Sequence, residues 1–231
     1  MDQVTPIISF SSFLPITEMI MQADQQTAGE GESRASAVKN FDQLRNVLRS
    51  DARLLIMDLE FYQDPQKNQN CPAQIAGKMF EGHASFNYHL FGTNMPAERQ
   101  VAFLRQYDLR FSEIDRYQAA EVIRRIMAFV ETEQPDYIVS WDNSTDFSLL
   151  NREANRMGLP KDQRPWRTIR PLDLEKLVAK EVWNNKKAIS LEKMCTLLHL
   201  PAVKHHRAQN DVKAIEQILK FYALDLGREL S

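Results

Sequence analysis

Leu54-Leu55-Ile56-Met57-Asp58-Leu59-Glu60 is the stretch from which the fold can be read. Four consecutive apolar residues followed by charge form the pattern of a short strand buried on both faces, as in a sheet covered by helices on either side. Strand side chains alternate, so Asp58 and Glu60 share one face and converge at the strand's end. Two convergent carboxylates repel unless a cation lies between them. Hard oxygen ligands select Mg²⁺ or Mn²⁺ over zinc, and these are the ions that phosphodiester cleavage uses. An acidic pair at a strand end is also common as a plain solvated terminus.

The same tripeptide recurs as Asp173-Leu174-Glu175. There it follows Pro171 and leads into Leu174, Leu177, Val178 and Val182, which is helical spacing, and on a helix positions i and i+2 do not share a face. The second copy reads as charge at a helix N-terminus, favourable to the dipole and structural.

Outward from the first strand, Ala73 to Phe80 and Ala84 to Leu90 are strand-like. Helical spacing then places Val101, Leu104 and Tyr107 on one segment, and Val122, Ile123, Ile126, Phe129 and Val130 on a second that Pro135 ends. Tyr137 to Trp141 reads as another buried strand. It feeds a helix with Phe147, Leu150, Ala154 and Met157 on one face and Gly158 as its stop. Helices follow near Leu172 to Val182, Ser190 to His199 and Ala208 to Leu226. Three strands, then strands alternating with helices, make an α/β domain with a mixed sheet.

Upstream, Ala23 to Ser36 is rich in Gln, Gly, Glu and Ser and reads as a linker. Residues 1–36 are therefore expected to be an N-terminal arm and linker, and 37–231 the main domain. The arm's Ile7, Ile8, Phe10, Phe13, Leu14, Ile16, Met19 and Ile20 suit self-association as a homodimer, or docking of a partner. Asp2 and Glu18 stand where a signal peptide would carry basic residues, and Pro6 and Pro15 break the apolar runs, so neither a signal peptide nor a membrane span is read.

The chain's 231 residues suit one well-buried core. With 29 Lys+Arg against 31 Asp+Glu, no global positive field recruits nucleic acid, and any such binding is local. Cys71 and Cys195, the only two cysteines, lie outside any C-x-x-C pattern, which speaks against a disulfide framework and a zinc site and fits a cytoplasmic protein.

A third carboxylate comes from Trp141-Asp142-Asn143-Ser144-Thr145-Asp146-Phe147, with Asp146 in the first turn of the helix after the buried strand. Strand-to-helix connections of open α/β sheets are where sites collect. Taken alone, Asp146 reads as readily as a capping or dipole-complementing acid, and Asp142, four residues earlier, is the competing candidate. The fourth element is His205-His206-Arg207-Ala208-Gln209-Asn210-Asp211, heading a helix that buries Val212, Ile215, Leu219 and Tyr222. Asp211 lies at the start of that stripe. A His five positions earlier belongs on the preceding loop, free to reach a water.

Together these pieces resemble the DEDDh branch of the DEDD exonuclease superfamily, which includes ribonuclease T and the proofreading subunit of bacterial DNA polymerase III. Asp58 and Glu60 match its Asp-x-Glu motif, Asp146 its second motif, and His206, Ala208 and Asp211 its His-x-Ala-x-x-Asp motif in full. The resemblance spans about Leu54 to Leu224 and implies a ribonuclease H-like mixed five-stranded sheet flanked by helices. Asp58-Leu59-Glu60-Phe61 and Trp141 look most like the branch of sporulation-inhibitor proteins and histone-mRNA exonucleases. Two features depart from the family pattern. Phe61-Tyr62 stands where Thr is frequent, and Asp146 is one residue further from Trp141 than is common in that branch.

The resemblance implies a 3′-to-5′ exonuclease that acts on single-stranded nucleic acid or a 3′ overhang. It also implies two Mg²⁺ or Mn²⁺ ions held by Asp58, Glu60, Asp146 and Asp211, with His206 as general base. Phe61, Tyr62 and Trp141 are the candidates for stacking on a terminal base, worth ~1–3 kcal/mol per base. The alternative is a non-catalytic nucleic-acid or protein-binding module on the same fold.

Overall fold

The computed structural model describes residues 38–64, 69–89, 101, 104–105, 119–183, 188–201 and 206–223. The expected arm and linker, Tyr107, His205 and the side chain of Tyr62 lie outside the described residues.

Strands β1 (Leu54–Asp64), β2 (Gln69–Met79), β3 (Ser85–His89), β4 (Tyr137–Ser140) and β5 (Arg170–Asp173) form one sheet in the order β3-β2-β1-β4-β5. The first three make an antiparallel meander, while β4 and β5 run parallel to β1 and to each other. This is the mixed, ribonuclease H-like sheet. Pairing of β1 with β4 stops at Ile56↔Val139, so Asp58 and Glu60 project just past the end of β4. Sites in open sheets form at such carboxyl ends.

Six α-helices flank the sheet among the described residues: α1 (Phe41–Leu48), α2 (Ala119–Glu133), α3 (Asn143–Arg156), α4 (Leu174–Trp183), α5 (Leu191–Leu197) and α6 (Ala208–Ala223). Alternation along β1 divides the interior in two. Leu54 and Ile56 pack with α1, α4, α5 and α6, whereas Leu55, Met57 and Leu59 pack with α2 and α3. A strand apolar on both faces is what the Leu54–Met57 run requires.

The helix ends follow local chemistry. Gly158, at φ +70, closes α3: its N–H donates to Asn155 O (3.0 Å) and that of Leu159 to Ala154 O (2.9 Å), the pair of bonds a left-handed cap makes. Pro135 lies two residues past the end of α2.

Two expected boundaries are corrected. The stretch expected to be helical from Leu172 begins as β5, and α4 starts only at Leu174. Tertiary pairing decides this, because Leu172 is buried and pairs with Val139, while Pro171 sits on an edge strand where its missing N–H costs little. The strand expected to reach Trp141 ends at Ser140.

Candidate active site

The shared face of Asp58 and Glu60 is the one covered by α6. Its residues Val212, Ile215 and Leu219 enter the core beside Ile56, which carries Asp211, one turn from the helix start, to the two strand carboxylates. Asp58, Glu60 and Asp211 each offer an oxygen within 4.8 Å of the others. Glu60 is 9% exposed and Asp211 6%.

Burial first, then the charge of Asp211, holds the Asp58 carboxyl well above the usual range. Glu60 is pushed up to about 9 by burial, by the charges of Asp58 and Asp211, and by a hydrogen bond with Asp211. Three crowded carboxyl groups, two of them held above their ordinary pKa by burial and by neighbouring charge, are all hard oxygen donors and fit a hard divalent cation, whose charge would favour their carboxylate forms.

Asp146, 5% exposed in the first turn of α3, lines the same cleft but stands outside that tight group of three. Burial raises its pKa, and Asp58 is the foremost neighbouring charge acting the same way. The Ser140 hydroxyl acts against the rise, although its hydrogen bond goes to Asn143 Oδ1 (2.8 Å).

Asp142 is used differently. It caps α3, accepting from the Ser144 and Thr145 N–H groups (3.2 and 3.4 Å) and from both hydroxyls (2.6 Å each). Partial burial would raise its pKa, but these bonds outweigh it and the carboxyl titrates below its ordinary value. Of the two rivals, the geometry favours Asp146 as the acid facing Asp58.

His206 lies outside α6, exposed, on the cleft wall. Its φ of 63 is left-handed, a conformation costing about 1–2 kcal/mol for an L residue. Its N–H donates to Asp211 Oδ2 (3.0 Å), which helps to offset that cost and ties the histidine to the carboxylate.

The cleft encloses about 210 Å³. Phe61, 37% exposed, lines it immediately after a β-bulge in which Ala73 is the extra residue on β2. Bulges increase twist and re-aim side chains beside sites. Trp141 is 7% exposed, and its Nε1 donates to Ile189 O (2.9 Å), fixing the segment ahead of α5 so that Ser190, Leu191 and Glu192 form part of the wall. Nothing in the spacing of Ser190 to Glu192 marks that role.

The second tripeptide is not part of this arrangement. Asp173 Oδ1 accepts from the Lys176 N–H (3.0 Å) and Oδ2 pairs with Lys176 Nζ (2.6 Å), capping α4. Cys71 and Cys195 are buried and free.

Fold and site together define an α/β domain of ribonuclease H-like topology with a carboxylate cluster, suited to holding metal ions; its two strand acids lie not at the end of β1, as the sequence suggested, but midway along it, just past the end of β4. No family model matches the chain, and no curated protein matches it. Among solved structures it is similar to the family B DNA polymerase from the hyperthermophilic archaeon Pyrobaculum calidifontis, at 16% identity and a TM-score of 0.44. The match covers 75% of this chain and 23% of the polymerase, so the chain spans only a small part of that protein's length. No helix among the described residues is long and apolar enough to cross a membrane.

Proposed function

We propose that residues 37–231 form a metal-dependent 3′-to-5′ exonuclease domain that releases nucleoside 5′-monophosphates from single-stranded nucleic acid or a 3′ overhang. The observation that carries this reading is the convergence of Asp58, Glu60 and Asp211 within 4.8 Å beside His206. A domain that neither binds metal nor catalyses gains nothing from holding the oxygens of Asp58, Glu60 and Asp211 within 4.8 Å of one another. The placement nearest the sporulation-inhibitor and histone-mRNA exonucleases rests on the motifs quoted above.

Asp58, Glu60, Asp146 and Asp211 would together hold two Mg²⁺ or Mn²⁺ ions. Bound there, the ions supply the Lewis acidity that activates a water and neutralises charge on the scissile phosphate. His206, exposed at the cleft wall, accepts the proton of the attacking water on a ring nitrogen. Phe61 offers its exposed ring to the terminal base, and Trp141 serves as the wall behind it. At about 210 Å³ the cleft is smaller than the ~300–1,000 Å³ of pockets that enclose a whole ligand, which suits the end of a strand.

The test is 5′-end-labelled single-stranded and 3′-overhang DNA and RNA, incubated with Mg²⁺ or with EDTA. Products shortening one nucleotide at a time from the 3′ end are expected, with none in EDTA. His206→Ala should turn over ~10²–10⁴-fold more slowly and lose the rising limb of the pH profile. Internal cuts, or activity that survives EDTA, would overturn the reading.

A further inference from the structure

Gln74 is 1% exposed, yet both ends of its amide are bonded. It pairs directly with Glu60 across the β1–β2 ladder, so its side chain stands on the face that carries Asp58 and Glu60. Its Oε1 accepts from the N–H of Ala208, the first residue of α6 (3.1 Å). That N–H is one of the donors a helix start leaves without an intrahelical acceptor. Its Nε2 donates to Asn87 Oδ1 (2.8 Å), and Asn87 Nδ2 donates to Gln209 Oε1 (3.0 Å), closing a ring of bonds around the head of α6.

A second tie lies further along the same two elements, where Lys78 Nζ bonds Glu216 (2.6 and 2.8 Å). The spans agree: eight helical residues from Ala208 to Glu216 cover about 12 Å at 1.5 Å each, and four strand residues from Gln74 to Lys78 about 13 Å. The helix is thus fastened along β2 at two matched points. Lys78–Glu216 fixes its middle, and Gln74 fixes the end that carries Asp211 and follows His206.

We infer that Gln74 is a positioning residue, whose hydrogen bond to the head of α6 sets Asp211 at the distance from Asp58 and Glu60 that a divalent ion requires. It touches neither ion nor substrate. The inference rests on the nuclease reading above. Outer partners that orient metal ligands are worth ~10–100-fold in metal affinity.

Calorimetric titration with Mn²⁺, paired with thermal melting, tests it on the full chain, its Gln74→Met, Gln74→Glu and Gln74→Asn variants, and Asp211→Asn. Gln74→Met keeps the volume but removes the acceptor, and should weaken Mn²⁺ binding ~10–100-fold. Gln74→Glu keeps an acceptor for the Ala208 N–H and adds a carboxyl opposite Glu60, so it should bind Mn²⁺ at most a few-fold more weakly than the natural chain. Should Gln74→Met not fold, Gln74→Asn replaces it, too short by one methylene to reach Ala208 and expected to weaken binding in the same way. Natural affinity in Gln74→Met or Gln74→Asn, with Asp211→Asn weakened, overturns the inference and leaves the nuclease reading standing. Equal weakening in Gln74→Glu overturns the acceptor's role. If the natural chain binds no Mn²⁺, or Asp211→Asn binds it normally, the nuclease reading itself fails and the inference goes with it.

Discussion

Glu60 keeps its proton up to about pH 9 in the folded chain, whereas an unfolded glutamate releases it near 4.5. The sign of the consequence follows from proton counting. Between these values the native state binds the extra proton, so this group's contribution to stability is complete below about pH 4.5 and is lost as pH rises towards about 9. Gln at this position stays neutral throughout. Ion-free Glu60→Gln should therefore melt higher than the natural chain at pH 8, the gap closing towards pH 4. Adding Mn²⁺ should reverse the order, because only the intact set of acids gains strongly from binding. Fluorimetric melting across pH with and without the ion checks this, and a pH-independent gap would show that Glu60 is not held protonated. Asp58 and Asp146, raised by the same burial, act in the same direction.

At the scale of elements, β2 organises the site. Its bulge at Ala73 lies opposite the Glu60–Phe61 step, and Gln74 holds the head of α6. On its other face Gly77 lies under the Phe86 ring, where an added Cβ would stand 2.4 Å from Phe86 Cζ. Phe86 in turn stacks on Tyr88 and meets Phe129 edge-on. Gly77→Ala should cost about 1–3 kcal/mol, as overpacking does, read as a lower urea midpoint with Mn²⁺ binding retained. An unchanged midpoint would mean that the ring shifts freely.

Legibility differed between elements for physical reasons. The period-2 placement of Asp58 and Glu60, the strand of Tyr137 to Ser140 and the Asp211 stripe of α6 are local patterns, visible in the chain itself. Strand β5 was not, since Arg170-Pro171-Leu172-Asp173 buries little but Leu172 and is a strand only because β4 pairs with it. Gln74 was hidden for a related reason: its role depends on register with Glu60 and on a helix 134 residues away. Asp142 and Asp146 both line the cleft, and the role of Asp142 as the cap of α3 is a matter of hydrogen-bond geometry that spacing does not show.

At the scale of the molecule, a chain of formal charge −2 brings Asp58, Glu60, Asp146 and Asp211 to one cleft, between two cores that the sheet divides. Each core supplies part of the site. The α6 side delivers Asp211, and α3, packed on the other side, delivers Asp146. The two Asp-Leu-Glu tripeptides offer an internal control for whether that convergence is functional. One sits midway along the central strand β1 with its acids facing α6, and the other caps α4.

The most direct measurement compares Asp58→Asn and Asp173→Asn with the natural chain in Mg²⁺-dependent release of nucleotides from the 3′ end of a labelled strand. Asp58→Asn should fold normally and release nothing. Asp173→Asn should match the natural rate, since Asn caps a helix about as well as Asp. Equal losses in the two variants, or cleavage that survives in Asp58→Asn, would contradict the account.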